Sequence, residues 1–356
     1  MQAQFQLLCF LVMIPMLFSV PWLAANRFSP QQVARNLAVA GLGIAAASMA
    51  WLLGGYSLAF HQEVISDPLP VLVQLEFALY ALVMLLGTAL AARRTLFFPL
   101  FAALWLLLVY VPVANLLWRN GWLAKLGALD FSGGLVVHLT AGLTSLVLVR
   151  HLRVQLPILT AEQPGTTALG TVLIFTGWFG FNLAPAGSFL PHGPLIMLNT
   201  VVAVLTAGLA WAVAAPGQEL VDRLCNGINT GLVTSTALVG FVGPQTMAVT
   251  GLVAGLIAAQ LVERYHQAWQ DPVDSLQINT TGALVGVGGL ILGFDPHLVP
   301  AGTTHLALAG SELTAVGVVV LITLVGSQVA LWLSEGCLHA YQRIRGVNIN
   351  VRSEEN

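Results

Sequence analysis

Asp130–Arg150 reads D-F-S-G-G-L-V-V-H-L-T-A-G-L-T-S-L-V-L-V-R. An acid stands at its mouth, glycines fill its first turns and one histidine, His138, sits midway. An apolar run of about 20 residues is long enough to cross the hydrocarbon core of a bilayer as a helix. An ionisable side chain inside such a run is costly, and His138 is the deepest-placed of the eight histidines. It marks either a functional site or a histidine satisfied by a neighbouring helix.

The rest of the chain has the same character. Its 356 residues are 57% hydrophobic and 8% charged, with a mean hydropathy of +0.84. Soluble domains carry about 25% charged residues, so the composition is that of a polytopic, all-α membrane protein in a lipid bilayer. The net charge is −2 and no basic patch is present to hold a phosphate backbone, which excludes a nucleic-acid partner. Cys9, Cys225 and Cys337 are odd in number and widely spaced, in or beside apolar stretches, and read as packing residues without disulfide or metal spacing. The N-terminus lacks a basic region and a small-residue cleavage pattern, so it reads as a retained first helix.

Hydropathy breaks predict eleven spans, at roughly 4–25, 34–60, 70–92, 96–118, 129–150, 165–187, 195–215, 222–242, 245–265, 275–294 and 312–342. Alternating the loops puts Arg27, Arg35, Arg93, Arg94, Arg150, Arg153, Arg223, Arg264, Arg343, Arg345 and Arg352 on one side. Only Arg119 and Lys125 fall on the other. The positive-inside rule then predicts an external N-terminus and a cytoplasmic C-terminus. Residues 1–342 form one transmembrane domain in this reading, and 343–356 a short cytoplasmic tail that is truncated or leads into a further domain.

Many of the 35 glycines lie inside spans, where small residues let helices approach closely. Asn182, Asn199, Asn226 and Asn229 fall at membrane depth and read first as hydrogen-bond links between helices, with ligand contact as the alternative. A faint echo links His138-Leu-Thr-Ala-Gly142 with Asn279-Thr-Thr-Gly282, each following an acid, Asp130 or Asp274. Five spans repeated as five more reverse orientation, and inverted repeats place a substrate site between the halves near the midplane.

The strings G-Y-S-L-A-F (55–60), Trp118, G-A-L-D-F-S-G-G-L-V-V-H (127–138), G-W-F-G-F-N (177–182), L-N-T (198–200), C-N-G-I-N-T-G-L-V (225–233) and D-P-V-D (271–274) occur in this order. Together they resemble the Amt/Rh family of ammonium transporters over essentially the whole chain. The resemblance implies eleven helices, an extracellular N-terminus, an internal pseudo-two-fold and a homotrimer with one pathway per protomer. It further implies that Trp118 attracts the ammonium ion at the outer vestibule, where an indole face is worth on the order of 0.5–2 kcal/mol to a cation. By position alone, a Trp at a helix end such as Trp118 is more often an interfacial anchor. Asp130 matches the family's acid, and its charge either favours a nearby cation or caps local backbone donors.

The family's paired pore histidines map to His138 and, five residues after the acid of D-P-V-D, to Asn279. Imidazole exchanges a proton near neutral pH and an amide does not, so a relay through both positions is lost. Two stacked phenylalanines usually close the family's outer pore. Ungapped alignment puts Ala78 at the first, with Phe77 adjacent, and Met197 at the second. The family's regulatory cytoplasmic tail has little counterpart before Asn356. Family members fused to cytoplasmic signalling modules, chiefly histidine kinases, act as ammonium sensors. The expectation is therefore an ammonium-binding sensor domain with impaired or no transport, and the alternative a transporter working with a single pore histidine. No nucleophile–base pair, metal cluster, cofactor motif or phosphate loop points to an enzyme.

Overall fold

Residues 2–90, 95–152, 164–269 and 275–345 are described in a computed structural model. Arg93, Arg94, Arg153, Asp271, Asp274, Arg352 and the tail from 346 onward lie outside them. The described residues are helical, without a named strand, and an isolated antiparallel bridge joins Val242 to Phe294. Helix α1 is Gln2–Asn26. Helix α2, Pro30–Ala50, continues through a π-helical turn, Trp51–Gly55, to Phe60. Helix α3 is Pro68–Val83, and α4 runs from Phe97–Trp105 through the π-helical turn Leu106–Tyr110 into Val111–Leu117. Helix α5 opens on the π-helical turn Gly134–Leu139 and continues as Thr140–Leu152. There follow α6, Pro164–Leu183, α7, Gly193–Ala214, α8, Leu220–Leu238, α9, Pro244–Trp269, α10, Ser275–Gly293, and α11, His305–Arg345.

Long aliphatic runs make these rods, and several open on a proline (Pro30, Pro68, Pro164, Pro244), whose missing N–H is no loss in the first turn. Among the described residues, nine helices are long and apolar enough to cross a membrane. The two labelled rods outside that set are α3, which has 16 residues, and α8, which has 19 and carries a polar run, Thr234-Ser235-Thr236. Where the sequence predicts one span over 70–92, α3 stops at Val83 and a short helix resumes at Leu86–Ala89. The break leaves Met84 O free to accept the Ser275 hydroxyl at 2.9 Å, as backbone irregularity at membrane depth requires.

Helix α1 packs on α3 and α6, and α6 on α8; α2 packs on α4, and α7 on α9. The pairings of the first half therefore recur five helices later. Helices α5 and α10 cross at the centre, and α10 also packs on α8. Helix α11 runs beside α5, and three polar contacts span the seam. Leu129 N donates to Glu312 Oε1 at 2.6 Å, the Thr144 and Ser327 hydroxyls lie 2.9 Å apart, and His151 Nε2 is 3.1 Å from Glu335 Oε2. The three cysteines are free; Cys9 and Cys225 are buried as packing residues, whereas Cys337 is exposed on α11.

Candidate functional site

Asp130 ends the segment before α5, and its side chain turns back onto that helix. Leu135 N and Val136 N donate to its Oδ2 at 3.0 and 2.9 Å. Amides of a first turn have no acceptor within their own helix, so a carboxylate there is a cap. Gly133, at φ +104°, makes the intervening reversal. A Cβ on it would stand 2.5 Å from Val137 Cγ2, so only glycine fits. His138 N then donates five residues back, to Gly133 O at 3.1 Å, which widens the turn that carries the imidazole.

His138 is fully buried, and its Nδ1 lies 2.8 Å from Asn279 Oδ1. The two helices approach this closely because Gly142, one turn beyond His138, has no side chain. A Cβ there would overlap Thr280 Oγ1 and stand 2.9 Å from the Thr280 backbone nitrogen. Asn279 is itself held by α10: its Nδ2 donates to Ser275 O at 2.9 Å and to Ser275 Oγ at 3.0 Å.

Aromatic rings complete the surroundings. Trp178 lies nearly parallel to the His138 ring, 5.4 Å away at 16°, and Tyr80 meets it edge-on at 6.3 Å. Phe181, 6.2 Å from His138, stacks on Phe77 at 4.3 Å and 22°. Phe77 meets Trp118 edge-on at 5.8 Å, and Trp118 Nε1 donates to Asp130 O at 3.0 Å. A column of contacts thus runs from Trp118 through Phe77 and Phe181 to His138. Past His138 the column reaches Asn279, and there a cavity of about 110 Å³ begins. Tyr80, Trp178, Ser275, Asn226, Asn229 and Arg27 are among its walls.

Of the residues singled out from sequence, Trp118, Asp130, His138 and Asn279 lie along this one column. Ala78 is buried beside Phe77, and Met197 lies on α7 with 36% of its surface exposed. The stacked phenylalanines are Phe77 and Phe181. Alignment came within one residue of Phe77 and did not reach Phe181, Tyr80 or Trp178. The available signal was their spacing: Phe77 with Tyr80, and Trp178 with Phe181, stand three residues apart, on one face of α3 and of α6. The asparagines divide. Asn182 links helices, donating to Thr200 Oγ1 and Ser235 Oγ at 2.9 Å each and accepting from Ser132 Oγ at 2.7 Å. Asn199 Nδ2 donates to the carbonyls of Val239 and Val242. Asn226 and Asn229 face the cavity instead.

Chemically the column offers ring faces, one buried imidazole and amide oxygens. Such groups accept hydrogen bonds and solvate a small cation. Among the described residues no group of three or more His, Cys, Asp or Glu is placed to hold a metal ion.

The model of the Ammonium Transporter Family matches residues 4–345. An ammonium transporter of Aquifex aeolicus is 29% identical over 347 residues, covering 84% of this chain and 82% of that protein. The ammonium transporter Amt1 of Archaeoglobus fulgidus is 30% identical over 301 residues, 78% of this chain and 76% of that protein. Among solved structures, the crystal structure of Saccharomyces cerevisiae Mep2 superposes with a TM-score of 0.83 at 24% identity, covering 93% of this chain and 87% of that one. One described as a sensor Amt protein superposes with a TM-score of 0.82 at 19% identity, covering 99% of this chain and 98% of that one. With agreement running the length of the chain in both sequence and fold, the protein belongs to the ammonium transporter family.

Proposed function

We propose that this chain binds ammonium within the membrane and acts as an ammonium sensor domain, with transport impaired or lost. The observation that carries this reading is the 2.8 Å contact of His138 Nδ1 with an amide oxygen of Asn279. An amide does not take up or release a proton near neutral pH, so a proton relay ends at His138. In this reading Trp118 receives the cation, the Asp130 carboxylate favours positive charge beside it, and Phe77 with Phe181 gates the way to His138 and Asn279. Ala78 and Met197 are the gate positions by alignment; Ala78 adjoins Phe77 on α3 and Met197 stands on α7. A sensor must distinguish bound from free in its helix arrangement. The seam between α5, which carries His138, and α11 supplies a route, because polar contacts tie the two helices at mid-length and near the end of α5, and a third ties α11 to the segment before α5.

The same reading takes α3 and α8 as crossings beside the nine apolar helices, which makes eleven, with the two five-helix halves inverted. It places the N-terminus outside and the C-terminus in the cytoplasm, on the strength of the arginine asymmetry. It also holds three chains together in a homotrimer, with residues 1–342 as the membrane domain, 343–356 as a short cytoplasmic segment and a cytoplasmic signalling domain as partner. Binding and relay of a signal, not catalysis, is the function. The second reading, conduction through a single histidine, is favoured by the relatives described as ammonium transporters.

Ammonium-evoked charge movement in proteoliposomes separates the two. The sensor reading expects no sustained current from the wild type, saturable binding that Trp118→Leu weakens about 2- to 30-fold, and current regained in Asn279→His. A sustained wild-type current overturns it in favour of the transporter.

A further inference from the structure

Neutral groups beneath His138 decide which of its ring nitrogens carries the proton. The Asn279 amide is fixed in one orientation, because its Nδ2 donates to both Ser275 O and Ser275 Oγ, at 2.9 and 3.0 Å. The Ser275 hydroxyl directs its own hydrogen to Met84 O at 2.9 Å, so toward Asn279 it is only an acceptor. Turned over, the amide would set its oxygen against two acceptors. Its oxygen therefore faces His138, and a carbonyl oxygen has no hydrogen to give. The hydrogen in the 2.8 Å contact belongs to His138 Nδ1. In the neutral ring Nε2 is then a bare lone pair, and this atom is buried without a hydrogen-bond partner among the described residues. A buried acceptor in that condition favours a donor that comes to it.

We propose that Ser275 and Asn279 form a tautomer clamp that holds the His138 proton on Nδ1 and presents the Nε2 lone pair to one N–H of the ligand. The ligand's identity rests on the ammonium reading above; the tautomer does not. Asn279 and Ser275 are positioning residues, acting through the imidazole. The Met84 carbonyl at the helix break is part of the device, because it accepts the Ser275 hydrogen and keeps it turned from Asn279. Two facing imidazoles can exchange donor and acceptor roles, whereas an amide pinned in this way keeps the histidine in one role.

The test is 15N NMR of the full chain in lipid nanodiscs, labelled at histidine. His138 is assigned by difference from His138→Gln at a mildly alkaline pH, where imidazole is neutral. Without ammonium, the wild type is expected to show a protonated Nδ1 and an unprotonated Nε2. Ser275→Ala removes one of the two acceptors and is expected to raise the Nε2–H population several-fold, and Ser275→Thr to restore the wild-type pattern. A wild-type proton on Nε2, or a Ser275→Ala spectrum identical to wild type, overturns the clamp. On titration with ammonium chloride, the Nε2 resonance is expected to move saturably while Nδ1 stays protonated. An intact clamp whose Nε2 ignores ammonium overturns the ligand assignment alone, which separates the two failures.

Discussion

At the scale of single residues, Asp130 combines a cap and a charge in one carboxylate, and two substitutions separate them. Asp130→Asn keeps an oxygen for the amides of Leu135 and Val136 but removes the charge; Asp130→Ala removes both. Hydrogen bonds to a charged group contribute about 1.5–3 kcal/mol, so Asp130→Ala is expected to lose stability on that scale in thermal unfolding, and Asp130→Asn clearly less. Both are expected to weaken ammonium binding in calorimetry. Wild-type affinity in Asp130→Asn would confine the residue to capping. The meeting of His138 with Asn279 was legible through the family resemblance, whose paired pore positions map to these two residues; the echo alone is faint, with His138 eight residues after Asp130 and Asn279 five after Asp274. The phenylalanine pair was not. A slip of one residue turns a helical side chain by about 100° about the axis, so counting to Ala78 instead of Phe77 points to a different wall. Met197 failed for another reason: the ring beside Phe77 comes from α6, not from α7.

At the scale of helices, the site depends on how closely α5 and α10 cross. Gly142→Ala puts a methyl group against Thr280, and overpacking of this kind costs about 1–3 kcal/mol. The expected outcome is a lower unfolding temperature together with a changed His138 signal, because the helices must part where the imidazole meets the amide. Gly288, on the same α10, has open space at its Cβ position. Gly288→Ala is expected to leave stability unchanged or raise it by about 0.4–1 kcal/mol. Equal damage from both substitutions would remove the crossing from the explanation. The order of the nine long apolar helices could be read from hydropathy, because aliphatic runs and their breaks are local. The end of α3 at Val83 could not. No breaker residue marks it, since Val83-Met84-Leu85-Leu86 is uniformly apolar. What sustains the break is a hydroxyl supplied by Ser275, far along the chain.

At the scale of the whole molecule, α11 outruns the membrane. Its 41 residues make a rod of about 60 Å, twice the roughly 30 Å of a hydrocarbon core, so part of it stands in water. Cys337 is exposed on its last turns, while Cys9 and Cys225 are buried. A membrane-impermeant maleimide is therefore expected to label Cys337 in inside-out vesicles and to leave intact cells unlabelled. Labelling of intact cells would reverse the orientation drawn from the arginines. The proposed orientation rests on charge bias, a property of composition, whereas the seam of α5 with α11 depends on partners nearly two hundred residues apart. The stacked rings and the cavity have a further consequence together. In the proposed reading, a guest at His138 has rings 4.3 Å apart on one side and a chamber of about 110 Å³ on the other. Exchange with the compartment near Arg27 is then expected to be fast, and exchange with the compartment near Trp118 to proceed only as often as Phe77 and Phe181 part. On that reading the site's occupancy tracks one reservoir promptly and the other only after a delay, as in a leaky diode.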